Sequence, residues 1–116
     1  MSIYTRIKKE STTIVSGTET EIIDLDNRVL AGVRIPSGVA SSSFVIQESI
    51  DDGDVFLTLY NGNSQFGAVG DISFSIAQNK SIYIPVNITA GAKKIKLVFN
   101  SSETNKVFEL ITREVN

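Results

Sequence analysis

Apolar residues recur at every second position over short stretches of this chain, and each stretch ends at Gly, Asn, Asp or Ser. Ile72, Phe74 and Ile76 alternate with Ser73 and Ser75; Ile95, Leu97 and Phe99 alternate with Lys94, Lys96 and Val98. A period of two places one set of side chains on one side of a pleated strand and the other set on the opposite side. An amphipathic helix would need apolar residues three and four apart, and no long stripe of that kind exists here. The pattern therefore predicts strands over residues 3–8, 12–16, 21–25, 28–35, 42–49, 54–60, 72–76, 81–86, 93–100 and 106–115.

The punctuation between these stretches has physical causes. Pro36-Ser37-Gly38 stops the fourth stretch, because Pro has no amide to donate and Gly accepts unusual backbone angles. Gly17-Thr18 and Ser101 to Asn105 are predicted turns. Asp51-Asp52-Gly53 is a strong one, which makes residues 44–49 and 55–60 a hairpin. Residues 61–71, with Asn61-Gly62-Asn63, Gly67 and Gly70, read as a loop that Phe66 pins to the body. Pro85 ends its strand or places it at an edge. In the fourth stretch Val29, Ala31, Val33 and Ile35 share one face, and Arg28, Leu30, Gly32 and Arg34 the other.

About eight to ten short strands with turn signals every 8–12 residues predict an all-β fold, an antiparallel β-sandwich of jelly-roll-like form. No strand–helix alternation supports a parallel sheet. At 116 residues the chain has the size of one domain with one core. We divide it into an N-terminal strand or arm, residues 1–20, and a β-sandwich domain, residues 21–116.

Composition narrows the chemistry. The chain has no Cys and no His, so thiolates, disulfides, the commonest general base and the commonest metal ligand are all missing. An enzyme, a cofactor site and a metal site are not expected, and no catalytic residue is assigned. Eleven Lys and Arg against thirteen Asp and Glu give a net charge of −2, which argues against binding nucleic acid through its backbone. No window approaches 18 apolar residues, so a membrane span is not expected, and the N-terminus has no apolar stretch after its basic residues. Synthesis in the cytoplasm is the expectation.

The remaining polar clusters have bland readings. Asp51-Asp52-Gly53-Asp54 resembles the start of a calcium loop, but position twelve is Gly62 where a bidentate Glu is needed, so a solvated turn is expected. Asp24 and Asp26 would share a strand face, yet they sit at a turn and read as a surface corner, with Arg28 near enough to pair with Asp26. Lys94 and Lys96 read as guards of an exposed strand edge. Among the aromatics, Tyr60, Phe66 and Tyr83 are the candidate surface-binding set. Ile3, Tyr4 and Ile7 in the N-terminal strand are the candidate assembly contact. That strand could add to a neighbour's sheet or complete the chain's own, and the residues favour neither.

The order of segments also resembles a known class. Residues 22–38, Ile-Ile-Asp-Leu-Asp-Asn-Arg-Val-Leu-Ala-Gly-Val-Arg-Ile-Pro-Ser-Gly, lead into Ser43-Phe44-Val45-Ile46-Gln47-Glu48-Ser49 and Asp52-Gly53. Ile82-Tyr83-Ile84-Pro85, Gly91-Ala92-Lys93-Lys94-Ile95-Lys96-Leu97-Val98 and Phe108-Glu109-Leu110-Ile111-Thr112-Arg113 follow. Over about residues 20–115 this is similar to small tailed-phage virion proteins of the head-decoration, head-spike and fibre-associated β-sandwich class. The resemblance implies a non-enzymatic virion structural protein, made in the host cytoplasm and assembled into the particle. Its implied partners are the major capsid protein or a fibre or spike protein, and further copies of itself in a homo-oligomer. The alternative is a carbohydrate- or host-surface-binding β-sandwich module.

The face assignment is directly testable. Ile95→Asp or Phe99→Asp buries an unpaired carboxylate and should abolish the folding transition. Lys94→Ala should leave stability within about 0.5 kcal/mol in the same denaturation experiment.

Overall fold

The structure, a computed structural model, describes residues 4–51 and 55–115. Ten strands follow one another: β1 (Tyr4–Glu19), β2 (Ile23–Asp24), β3 (Arg28–Arg34), β4 (Ser43–Ser49), β5 (Leu57–Thr58), β6 (Tyr60–Asn61), β7 (Gly70–Asp71), β8 (Ser73–Ser75), β9 (Ser81–Tyr83) and β10 (Lys94–Val115). A short 3₁₀ turn over Ser64–Phe66 is the only helical element among the described residues. Every pairing is antiparallel.

The all-β, sandwich-like architecture is present, built from an eight-stranded sheet that curls over on itself, with β6 and β7 as a separate two-stranded ribbon. Its hinge is β10, 22 residues long. Residues 94–99 of β10 pair with β4, which carries β5 and β8 on its far edge. Residues 104–115 pair with β1 on one side and β3 on the other, and β3 carries β9. The two halves of β10 thus belong to two layers. Phe44, Ile46, Ile95, Leu97 and Phe99 from one layer meet Leu30, Val33, Phe108 and Leu110 from the other in a single buried cluster.

The corner is held from both sides. Inside, Phe99 stacks on Phe108 with centroids 4.5 Å apart, and Phe44 lies 5.4 Å from Phe99 and 5.2 Å from Phe74. Such ring pairs contribute about 0.5–1.5 kcal/mol each beyond area burial. At the bend itself, Glu103 is 2% exposed and faces the segment before β4. Its carboxylate accepts hydrogen bonds from the amides of Ala40 (3.0 Å) and Ser41 (2.8 Å) and from Ser41 Oγ (2.6 Å). Asn100 adds to this, its Oδ1 accepting from the Ser42 amide at 2.9 Å and its Nδ2 donating to Ser42 Oγ at 2.8 Å. Burial raises the Glu103 pKa, but the bonds from Ser41 and Ala40, with the charge of Lys106, outweigh it and hold the carboxyl below its ordinary value of 4.5.

Several expectations are corrected by this geometry. Residues 4–19 form one strand rather than two, and they run along β10 in the chain's own sheet. The turn expected at Gly17-Thr18 is an irregularity in that ladder: Gly17, at φ 119°, opposes Glu103, and two residues later Glu19 opposes Val98. Gly tolerates this backbone, so β1 bends in step with the β10 corner. The turn expected over residues 101–105 is likewise a bend inside β10, aided by Asn105 at φ 50°.

A bulge where β3 passes Ile111 and Thr112 buries both Val29 and Leu30, so strict alternation fails there. The strand expected over 54–60 is reduced to β5 and β6, although the hairpin with β4 exists through Gln47↔Thr58 and Glu48↔Leu57. The turn residues 52–54 lie outside the described residues. The lysines do not guard an edge, because β10 has a partner on each side. Lys96 Nζ binds Glu19 at 2.8 Å and lies 4.9 Å from the centroid of the Phe56 ring. Strand β9 does stop before Pro85, as expected.

The Glu103 clamp has a pH signature. Its depressed pKa means that its contribution is complete at neutral pH and is lost as the pH falls below about 4.5 and through the folded-state value. Glu103→Ala leaves buried amides without an acceptor and should cost about 2–4 kcal/mol at pH 7. In urea titrations the gap between wild type and variant should narrow at pH 3.5.

Candidate functional site

A site on this scaffold must be assembled from exposed side chains, and the basic candidates Arg28 and Lys96 are already engaged. A groove of about 570 Å³ lies between β1 and the residues around β2 and is lined by Glu10, Glu21, Asp24, Asp26 and Arg28. Arg28 does not pair with Asp26 as expected from sequence. Its side chain is largely buried; Nη1 binds Glu10 at 2.7 Å and donates to Thr112 Oγ1 at 3.0 Å. Nε donates to Leu25 O at 2.9 Å and Nη2 to Asp24 O at 2.9 Å. With each of its three nitrogens engaged, this guanidinium ties the β2–β3 corner to β1 and β10 and acts as an architectural group. Asp24 and Asp26 are exposed at that corner, where Asp26 and Asn27 take φ of 43° and 62°. Among the described residues, no three His, Cys, Asp or Glu side chains gather as a metal ion would need.

The aromatic candidates divide between two places. Tyr60 and Phe66 come together. They line a groove of about 520 Å³ with Ala68, Ile72 and Ile88, at the end of the β6–β7 ribbon. The loop between those strands is braced from within. Asn61 Nδ2 donates to Ala68 O (3.0 Å), Asn61 Oδ1 accepts from the Asn63 amide (3.1 Å), and Asn63 Oδ1 accepts from the Gln65 amide (2.9 Å). Such side-chain turns give the backbone a fixed course without a sheet partner. Phe66 is presented, not pinned: it is 80% exposed, and Tyr60 is 61% exposed.

Tyr83 is elsewhere. It sits on β9 opposite Gly32 and is 76% exposed. Gly32 has Ile111 across it, so a Cβ there would meet Ile111 Cδ1 at 3.3 Å. The register carries this row across the sheet as Lys9, Ile111, Gly32 and Tyr83. Ile7, from the assembly trio, falls on the same outer face, two residues along β1 from Lys9, and is 60% exposed. Val15 and Val107 complete an exposed apolar set on that face. Tyr4 is placed in β1 opposite Val115, and Ile3 lies outside the described residues.

Ile111 and Val107 were not singled out from the sequence. Alternation alone could have marked Val107 and Ile111 as outward once Phe108 and Leu110 were taken as inward. The braces Asn61 and Asn63 had a signal too, since Asn-Gly-Asn favours side-chain-capped turns.

No protein-family model matches this sequence, and no curated protein matches it. Among solved structures, the crystal structure of the SPBc2 prophage-derived protein YomS has the same fold, with a TM-score of 0.59 over 98% of this chain and 100% of that one. The two sequences are 18% identical.

The exposure of Phe66 predicts that Phe66→Ala changes stability by no more than about 0.5 kcal/mol. Phe74→Ala, which removes a ring stacked on Phe44, should cost about 3 kcal/mol in the same urea titration.

Proposed function

We propose that this chain is a non-enzymatic structural protein of a bacteriophage particle, holding to its neighbours through protein–protein contacts as a head-decoration or head-fibre or spike protein. The observation that carries the reading is the fold shared with a prophage-derived protein over nearly the whole of both chains. The surface supports it. Ile7, Val15, Val107 and Tyr83 stand on strands, where sheet hydrogen bonds fix their positions before any partner arrives. Preformed apolar area on rigid elements lowers the ordering cost of association.

The partners on this reading are the major capsid protein or a fibre or spike protein, reached in the virion after synthesis in the host cytoplasm. Self-association has a place in it as well. Among the described residues β1 pairs only with β10, so its other edge can take a strand from a second copy. With a net charge of −2, neither nucleic acid nor a membrane surface is a partner on this reading.

One observation favours a second reading. The Tyr60–Phe66 groove presents two aromatic rings on a braced loop, as a carbohydrate- or host-surface-binding module would. Purified particles separate the two. A structural protein should be present at a fixed ratio to the major capsid protein across preparations. Absence from particles, together with glycan binding that Phe66→Ala abolishes, would move the conclusion to the second reading.

A further inference from the structure

The outer face of the β1–β10–β3–β9 layer is apolar at its centre and unbalanced in charge. Its register rows place Lys9 beside Ile111, and Ser11, Glu109 and Arg34 in the next row. Arg113 lies opposite Ile7 at the other side of the Ile111 row. Glu109 is shared, 3.7 Å from Lys9 and 3.6 Å from Arg34. Arg113 makes no ion pair or hydrogen bond through its side chain among the described residues. Three cations against one carboxylate leave a surplus of positive charge, in a chain whose overall net charge is −2. The rest of the surface is correspondingly acidic.

We infer that this face docks an acidic protein surface with exposed apolar side chains, and that Tyr83, Ile111 and Arg113 form the centre of the contact. Tyr and Arg are the residue types that carry most binding energy at interface centres, and here they flank an Ile on a rigid sheet. The charge decides the class of partner. Two copies of this chain set face to face would bring like charges together, which costs free energy and disfavours a symmetric dimer through this surface. An acidic partner gains both steering and a counter-ion for Arg113. The inference names the partner's chemistry within the proposed virion role, and rests on that role for the partner being a particle component.

The test places the photo-crosslinking residue p-benzoylphenylalanine at Val107, or at Phe66 as a control, in the full chain inside particle-producing cells. Cross-links are mapped by mass spectrometry. Position 107 should cross-link to an acidic segment of a virion protein. The yield should fall at least tenfold in Arg113→Glu and stay within twofold in Arg113→Lys, with unfolding midpoints unchanged. Should Arg113→Glu fail to fold, Arg113→Gln replaces it, with an expected loss of about threefold or more. Cross-links from 107 to an acidic protein outside the particle keep the inference and remove the virion role. Cross-links from 107 to a second copy or to a non-acidic surface, or none at all, overturn it. Cross-links to virion proteins from 66 alone overturn it while leaving the virion role intact.

Discussion

The fold depends on a bend in one strand. β10 runs through both layers, and its two halves pack against each other only because the chain turns between Phe99 and Phe108. A bend in a strand interrupts ladder hydrogen bonding, and buried amides left over from it are costly. Here the strand's own polar side chains meet that cost. Glu103 and Asn100 accept from the amides of Ala40, Ser41, Ser42 and Ser43, so the approach to β4 is fastened to the corner it must pass. A buried carboxylate is tolerated because neutral donors surround it, and those donors are why its pKa falls in spite of burial. The stacked rings supply apolar contact on the inner side of the same bend.

A second polar device ties the rest. Arg28 joins Glu10 of β1, Thr112 of β10 and two carbonyls of the β2–β3 corner. Both devices use charged groups for architecture. The resulting molecule has a rigid body and two displays: a sheet face with Ile7, Ile111 and Tyr83, and a braced loop with Tyr60 and Phe66. Neither display needs to reorganise to bind, since one is held by ladder bonds and the other by asparagine turns. On the proposed role, that rigidity lowers the ordering cost of forming the same contact many times.

Much of this was legible from residue order. Alternation in 72–76 and 93–100 identified inward Phe74, Ile95, Leu97 and Phe99, and the buried cluster contains or abuts each of them. Pro85 ended its strand, and the 44–49 hairpin formed. What misled was local punctuation inside long strands. Gly17 and Asn105 carry turn residues' angles, but each sits where a strand bends without leaving its partner. Leu30 was placed on the face opposite Val33 because strict alternation was assumed, and the bulge adds one residue to the count at that point.

The candidate site was legible only as a list of residues. Tyr60, Phe66, Tyr83 and Ile7 were all marked, and all are exposed, yet nothing in their order says that Phe66 joins Tyr60 while Tyr83 joins Ile7. The partners of Arg28 and Lys96 lie on strands distant in sequence, so short-range pairing pointed to the wrong acid for one and the wrong role for the other. The sequence by itself determined that this chain makes antiparallel strands, which side chains of most strands face inward, and that the usual ligands of catalysis and metals are missing. Period and composition are local properties and need no partner to be read. Only the tertiary structure decided which strands pair, where β10 turns, and which surface residues share a face, because those follow from register across the sheet.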